Sequence, residues 1–375
     1  MADWRVPLAD VVIDAAEIER VADTYRSGWL SMGPRTEELE AALSAYTRSP
    51  HALATANCTA ALHLACMACE LGEGDEVVVP SLSFVATANA IRYTGATPVF
   101  ADIAALDRPW LSAAAAEAAL TERTKAIMTM SYGGHPGETD ALAELAERRG
   151  LLLLEDAAHG LGGRSGRGPL GTIGVAGAYS FFSNKNLPVG EGGALVSRDD
   201  AIAERARLLR SHGMTTLTWD RHRGHSFGYD VVDLGFNYRI DEARATLATA
   251  RLERLDADNV KRGKLDGAYR KALADVDGVA PTMPPPAAGA SAHHIFTVVL
   301  DEGIDRDALR ARLADAGVQT SMHYPPIHLF SIYEGDWDLP LTEDYAGRAV
   351  TLPLFPHMTV AQLELVVEVL AAAVA

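Results

Sequence analysis

The chain has 375 residues, 48% of them hydrophobic, enough to bury one large core with a smaller appended lobe. With 50 acidic against 33 basic side chains it carries a formal net charge of -17 at pH 7. That balance excludes nucleic-acid binding as a main function, because a phosphate backbone demands dense Lys and Arg, but leaves room for a small anionic ligand held in a cleft.

In chain order, residues 1–14 are neither basic nor continuously apolar, and no apolar run reaches the roughly 18 residues that span a bilayer. We therefore expect a cytoplasmic protein without a membrane partner. From Ala52 to Ser197 short apolar runs alternate with helical segments, the pattern of parallel strands joined by crossover helices. The expected strands are 51–55, 76–80, 97–101, 126–130, 151–155, 176–182 and 193–197. Open sheets of this kind bind ligands beyond the carboxyl ends of their strands, which directs attention to Asn57, Ser81, Asp102, Tyr132, Asp156 and Ser183. Cys66 and Cys69 match a CxxC pattern but fall inside a stretch of helical apolar spacing with no second ligand pair, so they read as buried helix residues. The Ala-rich run 111–120 reads as a surface helix.

After Asp199 the pattern turns helical, is interrupted by the basic run Arg221–His225, and continues as a long amphipathic stretch over 241–273. A Pro-rich segment, 281–286, leads into a second lobe. There the apolar runs 295–300 and 317–323 flank a helical pattern at 305–316, and another helix closes the chain at 360–373. The expected architecture is α/β: a large domain over residues 1–250 with a mostly parallel sheet flanked by helices, plus a smaller C-terminal α+β domain over 251–375.

Three segments carry chemistry. The leucines at 151–154 make a buried strand, and Asp156 at its exit would be a carboxylate in a low-dielectric cleft, costly unless it meets a cation. A protonated pyridine nitrogen is such a cation; capping of the next segment is the plainer alternative. Lys185 follows an apolar strand and precedes Gly190, Gly192 and Gly193, which would let backbone approach something bulky beside the lysine. A desolvated lysine has a lowered pKa and forms Schiff bases readily, whereas a snorkelling surface lysine would not. Asn57, Cys58 and Thr59 form a strand–turn–helix start whose N–H groups, with the Thr59 hydroxyl, make an anion site or a simple N-cap.

Together with Ser27-Gly-Trp-Leu-Ser-Met-Gly-Pro34, Pro80-Ser-Leu-Ser-Phe84, Glu155-Asp-Ala-Ala-His159, Leu234-Gly-Phe-Asn237-Tyr-Arg-Ile, His323-Tyr324-Pro325 and Leu352-Pro-Leu-Phe-Pro356, these segments resemble the DegT-type nucleotide-sugar aminotransferases. That family is a branch of the fold type I pyridoxal-phosphate enzymes, and the resemblance runs nearly the whole length. It implies that Lys185 holds the cofactor as a Schiff base and shuttles a proton. It implies that Asp156 keeps the pyridine nitrogen protonated and that Phe84, which sequence alone would place in the core, stacks on the ring. His159 would sit near the phenolic oxygen, where many relatives have glutamine. The phosphate would be held by Cys58, Thr59 and Ser180, with Asn237 reaching over from the other subunit of a homodimer; Ser183 is a second candidate. Relatives commonly carry glycine or alanine where Cys58 stands.

The resemblance also implies a reaction. Related sugar dehydratases have histidine in place of Lys185, so lysine here favours amino transfer, and a cysteine desulfurase is discounted because all three cysteines lie on or beside the early helix. L-glutamate would donate the amino group to a nucleotide-bound keto-deoxysugar, dTDP-4-keto-6-deoxy-D-glucose first, in secondary-metabolite sugar biosynthesis. A 3-keto sugar or keto-cyclitol would need the same catalytic residues, and a cofactor-binding regulatory protein is the alternative of another class. Trp29, Met32, Arg221, His323 and Tyr324 are candidates for the substrate pocket, Arg221 through a diphosphate contact across the dimer. His222 and His225 lack partner ligands, so no metal is expected.

Overall fold

The computed structural model describes residues 4–216, 219, 224 and 228–374. The runs expected at 51–55, 76–80, 97–101 and 193–197 form strands with those bounds: β1 (His51–Thr55), β2 (Glu76–Pro80), β3 (Thr97–Ala101) and β9 (Gly193–Ser197). Between them lie β4 (Ile103–Ala105), β5 (Arg108–Leu111), β6 (Thr124–Met130), β7 (Leu152–Asp156) and β8 (Ala176–Ser180). Among the described residues these make a seven-stranded sheet ordered β1-β9-β8-β7-β6-β2-β3, with β4 and β5 paired separately.

Strand β9 runs antiparallel to both β1 and β8, and every other pairing in the large sheet is parallel. The carboxyl ends of β1, β6, β7 and β8 therefore share one edge, and the reversed β9 begins there. The chain leaves β8 and returns to β9 at that same edge, so Lys185, between them, is presented there. Strands β2, β8 and β9 are buried along their whole length, which explains their continuous apolar character.

Helix α3 (Cys58–Ala68) covers one face through Leu62, Ala65 and Cys66, packed with Val77, Met128 and Leu195. The other face is covered by α2 (Pro34–Thr47) and α8 (Glu242–Leu252), where Leu39, Leu43 and Ala248 meet Phe181 and Val196. Cys66 and Cys69 are buried, and burial pushes both thiols up, Cys69 to about 12, so they act as small apolar side chains. Helix starts follow the sequence: the side chains of Asn57, Ser112, Asp199, Asp241 and Asp305 each accept from a backbone N–H in the first turn.

Several expectations shift. The strand expected over 176–182 stops at Ser180, because Phe182 already bridges Gly190 in the returning segment. The stretch 317–323 is no strand; it makes single bridges, Val318 with Val6 and Ser321 with Thr351. The 241–273 pattern is two helices, α8 and α9 (Leu255–Ala272), and the Ala-rich run is a short helix at Ala113–Ala118 behind the Ser112 cap.

Beyond α9, β10 (Val279–Pro281), β11 (Phe296–Leu300) and β12 (Ala349–Leu352) form an antiparallel sheet. Its core joins Tyr269, Phe296, Leu313, Val366 and Leu370 with Val6 from the far N-terminus. Conversely, Ile327, Tyr333 and Leu339 pack into the core of the large sheet. The chain crosses between the two cores at both ends, so packing does not follow a single cut in sequence. Among the described residues no helix is long and apolar enough to cross a membrane.

On β7, Glu155 is 1% exposed and accepts three backbone hydrogen bonds, from Gly171 at 2.7 Å, Ile173 at 2.6 Å and Gly174 at 2.8 Å. Those bonds pin the loop that leads into β8. Glu155→Gln would turn an amide NH2 toward one of these donors and should cost about 1.5–3 kcal/mol, the scale of a buried hydrogen bond to a charged group. Urea unfolding of the two proteins measures it.

Candidate active site

The carboxyl edge of the sheet opens into a cavity of about 760 Å3. Its wall includes Asn57, Cys58 and Thr59 from the β1–α3 turn, Asp156 from the end of β7, Ser180 from the end of β8, and Lys185. Phe84, His159, His323 and Tyr324 complete the part that sequence reading had singled out.

Asp156 is 3% exposed. Its Oδ2 accepts from the Thr87 hydroxyl at 2.6 Å and its Oδ1 from the Ala158 N–H at 3.1 Å. Thr87 has one proton to give, so at 2.6 Å from Ser83 it accepts, and a chain Ser83–Thr87–Asp156 orients the carboxylate. Burial nevertheless raises the Asp156 pKa above its ordinary value, with Lys185 pulling it down less strongly. A cationic partner in the cavity would restore the ionised form.

Lys185 is half-buried, and desolvation lowers its amine to about 8 despite the opposing Asp156 carboxylate. His159 accepts from the Gly133 N–H through Nδ1 at 3.3 Å, so a neutral ring carries its proton on Nε2 and donates to the Tyr324 oxygen 2.9 Å away. The Tyr324 hydroxyl proton is thereby released toward other acceptors. Burial and the Lys185 charge keep both His159 and His323 neutral, with His323 lowered to about 3. His323 is fixed through Nδ1 to the Thr351 hydroxyl at 2.9 Å.

At the start of α3 the Asn57 side chain caps the Ala60 N–H at 2.8 Å, while helix geometry leaves the Cys58 and Thr59 N–H groups without an intrahelical acceptor. Gly193 makes this turn possible, since a Cβ there would lie 2.6 Å from both the Asn57 carbonyl carbon and the Cys58 nitrogen. That corrects the expectation for the glycines after Lys185. Gly193 admits the protein's own backbone, Gly192 would clash with Val189, and Gly190 sits in open space at φ +95.

Other expected positions fall elsewhere. Trp29 packs on Trp219 with ring centroids 4.7 Å apart and Met32 is buried, so neither lines the cavity. Arg221, His222 and His225 lie outside the described residues. Asn237 is exposed and pairs with Ser211 rather than lining the cavity of its own chain. Phe84 is 55% exposed, not a core aromatic, and its ring lies 5.9 Å from that of Tyr324.

Of the residues flagged beyond strand ends, only Asn57 and Asp156 line the cavity. Ser81 pairs with His328 at 2.6 Å, Asp102 caps the helix Pro340–Arg348, Tyr132 donates to the His323 carbonyl, and Ser183 is exposed. Sequence reading missed Thr87 and Tyr238. Thr87 lies three residues past Phe84 on the first turn of a helix, and Tyr238 adjoins Asn237 in a segment already noted.

The profile of the DegT/DnrJ/EryC1/StrS aminotransferase family matches residues 11–371. The spore coat polysaccharide biosynthesis protein SpsC of Bacillus subtilis (strain 168) is 36% identical over 376 residues, covering 97% of this chain and 95% of SpsC. The aminotransferase TlmJ of Streptoalloteichus hindustanus superposes with a TM-score of 0.92 at 34% identity, covering 98% of each chain. DesI, solved in the presence of its TDP-sugar product, superposes with a TM-score of 0.88 at 32% identity, covering 100% of this chain and 94% of DesI.

Aminotransferases of this family use pyridoxal phosphate, and solved neighbours exist in pyridoxal and pyridoxamine phosphate forms. The residues present fit that group: a buried carboxylate with no ion-pair partner among the described residues, a lysine of lowered pKa and an open helix start share one cavity. From fold, cavity and comparison together, the chain belongs to the DegT/DnrJ/EryC1/StrS aminotransferase family and is a sugar aminotransferase.

Proposed function

We propose that the protein moves an amino group from L-glutamate to the ketone of a nucleoside-diphosphate deoxysugar, with dTDP-4-keto-6-deoxy-D-glucose as the preferred acceptor. The observation that carries this reading is Lys185 opening into one cavity with the buried Asp156 carboxylate. The volume of about 760 Å3 is that of a site for a ligand of considerable size. The TDP-sugar product of DesI supports the nucleotide.

When bound, pyridoxal phosphate supplies an electron sink for the electrons left by a departing α-proton. Asp156, oriented by Thr87 and Ala158, would face the ring nitrogen and hold a proton there. Lys185 Nζ would carry the cofactor at rest and, once freed, take and return the migrating proton. The Cys58 and Thr59 N–H groups, the Thr59 hydroxyl and Ser180 would bind the phosphate; because backbone donates at position 58, the cysteine side chain is tolerated. Phe84 would stack on the ring, and His159, proton on Nε2, would hold Tyr324 toward the phenolic oxygen side. His323 and Tyr324 would line the sugar pocket.

Asn237, exposed on its own chain, would reach the phosphate of the partner in a homodimer. This reading keeps a large lobe built on residues 1–250 and a small lobe on 251–375, with Val6 exchanged into the small core.

Incubating the pyridoxamine form with a panel of 3-keto and 4-keto nucleotide sugars tests the acceptor: recovery of the cofactor's visible absorbance only with a 3-keto sugar or a cyclitol ketone reassigns it. Absence of any spectral response to amino donors would instead favour a binding protein. Lys185→Ala should lower turnover by about 10³-fold or more, and borohydride fixation followed by peptide mapping should place the label on Lys185 in the parent protein. Asn237→Ala should speed cofactor loss on dialysis.

A stability test uses the lysine's pKa. Unfolding returns the amine from about 8 to its ordinary 10.5, so between those values the unfolded chain binds more protons and stability rises with pH. Lys185→Met should therefore raise the melting temperature of the cofactor-free chain below about pH 8, with the gain fading as pH climbs toward 10.5.

A further inference from the structure

Tyr238, which lines the large cavity, makes two contacts that bracket the Asn57–Thr59 turn. Its carbonyl accepts from the Ala56 N–H at 2.8 Å, immediately before the turn. Its hydroxyl lies 3.0 Å from His63 Nδ1, on α3 just after it. His63 follows Thr59 by four residues, so the hydroxyl is joined to the side of the helix that carries Thr59, one turn further along.

The bond is one that both groups keep. His63 is 4% exposed, and burial holds its ring neutral. Its Nε2 is buried without a hydrogen-bond partner among the described residues, so losing the Tyr238 oxygen would leave both ring nitrogens bare. The rings are packed against one another: Tyr93 and Phe236 lie with centroids 5.4 and 4.8 Å from that of His63, and Phe236 stacks on Tyr238 at 4.9 Å and 10°. The backbone of Tyr238 is fixed as well, its N–H donating to the Arg210 carbonyl at 3.0 Å while the next residue, Arg239, bridges Thr55 of β1.

We infer that Tyr238 is a positioning residue for the anion turn: anchored at Ala56 through its backbone and at His63 through its hydroxyl, it sets the start of α3 so that the Cys58 and Thr59 N–H groups converge on a phosphate. A helix start is prone to fray, and donors already in place bind an anion without being ordered by it. The Gly193 backbone lies against Asn57 and Cys58, so two separate segments hold the turn. The role rests on the reading of this turn as the cofactor-phosphate site. In that reading Asn237 serves the partner subunit, whereas Tyr238 works within its own chain.

The test compares pyridoxal phosphate with pyridoxal, each titrated by absorbance into the cofactor-free full-length protein. Both aldehydes engage Lys185, so the ratio of their dissociation constants isolates the phosphate. Tyr238→Phe removes only the hydroxyl and should reduce the preference for pyridoxal phosphate about fivefold, the scale of one hydrogen bond, with pyridoxal binding unchanged. His63→Leu should give the same loss and the double variant no more than either alone, because one bond is removed in all three. His63→Asn, which keeps a polar atom near the place of Nδ1, should retain most of the preference. In the cofactor-free protein, amide hydrogen exchange of the peptide 56–63 should quicken in Tyr238→Phe. An unchanged ratio in Tyr238→Phe, an equal loss for both aldehydes, or unaltered exchange overturns the positioning role, whatever the melting temperature does. A parent protein that binds the two aldehydes equally rejects the turn as a phosphate site and the brace with it, whereas a parent preference that survives intact in Tyr238→Phe rejects the brace alone.

Discussion

Two adjacent carboxylates buried at the end of β7 organise the molecule. Strand periodicity sends them to opposite faces, so Glu155 and Asp156 face different surroundings although they are neighbours in sequence. Glu155 spends its charge on three backbone N–H groups and fixes the loop into β8. Among the described residues Asp156 meets only Thr87 and one backbone N–H, and burial leaves its charge incompletely compensated. Burial raises the pKa of both carboxylates, but Glu155 is bonded into the loop that leads to β8, whereas Asp156 faces the cavity that also holds Lys185.

The reversed strand β9 gives that arrangement its second half. Because the chain turns back at the carboxyl edge between β8 and β9, the lysine segment is anchored at both ends by the sheet. The Gly193 contact presses the α3 start against the same edge, so helix start, lysine and carboxylate converge without a long flexible loop. Preorganisation of this kind is what positions reacting groups within small tolerances.

The C-terminal segment closes the edge. Polar residues following the strands serve largely as fasteners for it: Ser81 to His328, Asp102 to the helix Pro340–Arg348, and Tyr132 to the His323 carbonyl. They hold His323 and Tyr324 over the cavity, where neutral histidines and a lysine of lowered pKa make an interior unlike the acidic exterior. Long-range steering by net charge therefore says little about what this cavity receives; local donors decide it.

Periodicity by itself determined the strands of the large sheet to within a few residues, and the alternation that makes that sheet mostly parallel, because these are local preferences of short segments; the short strands β4, β5, β10 and β12 escaped it. Periodicity and turn chemistry also singled out Lys185, Asp156 and the Asn57–Thr59 turn, since a charge at the end of an apolar strand is costly enough to stand out. Only the tertiary structure decided which flagged residues meet. It sent Ser81, Asp102 and Tyr132 to fastening, kept Trp29 and Met32 out of the cavity, and brought Thr87 to Asp156 across 69 positions of chain. Which neighbour a polar side chain finds is set by packing between distant segments, and no local pattern encodes that distance.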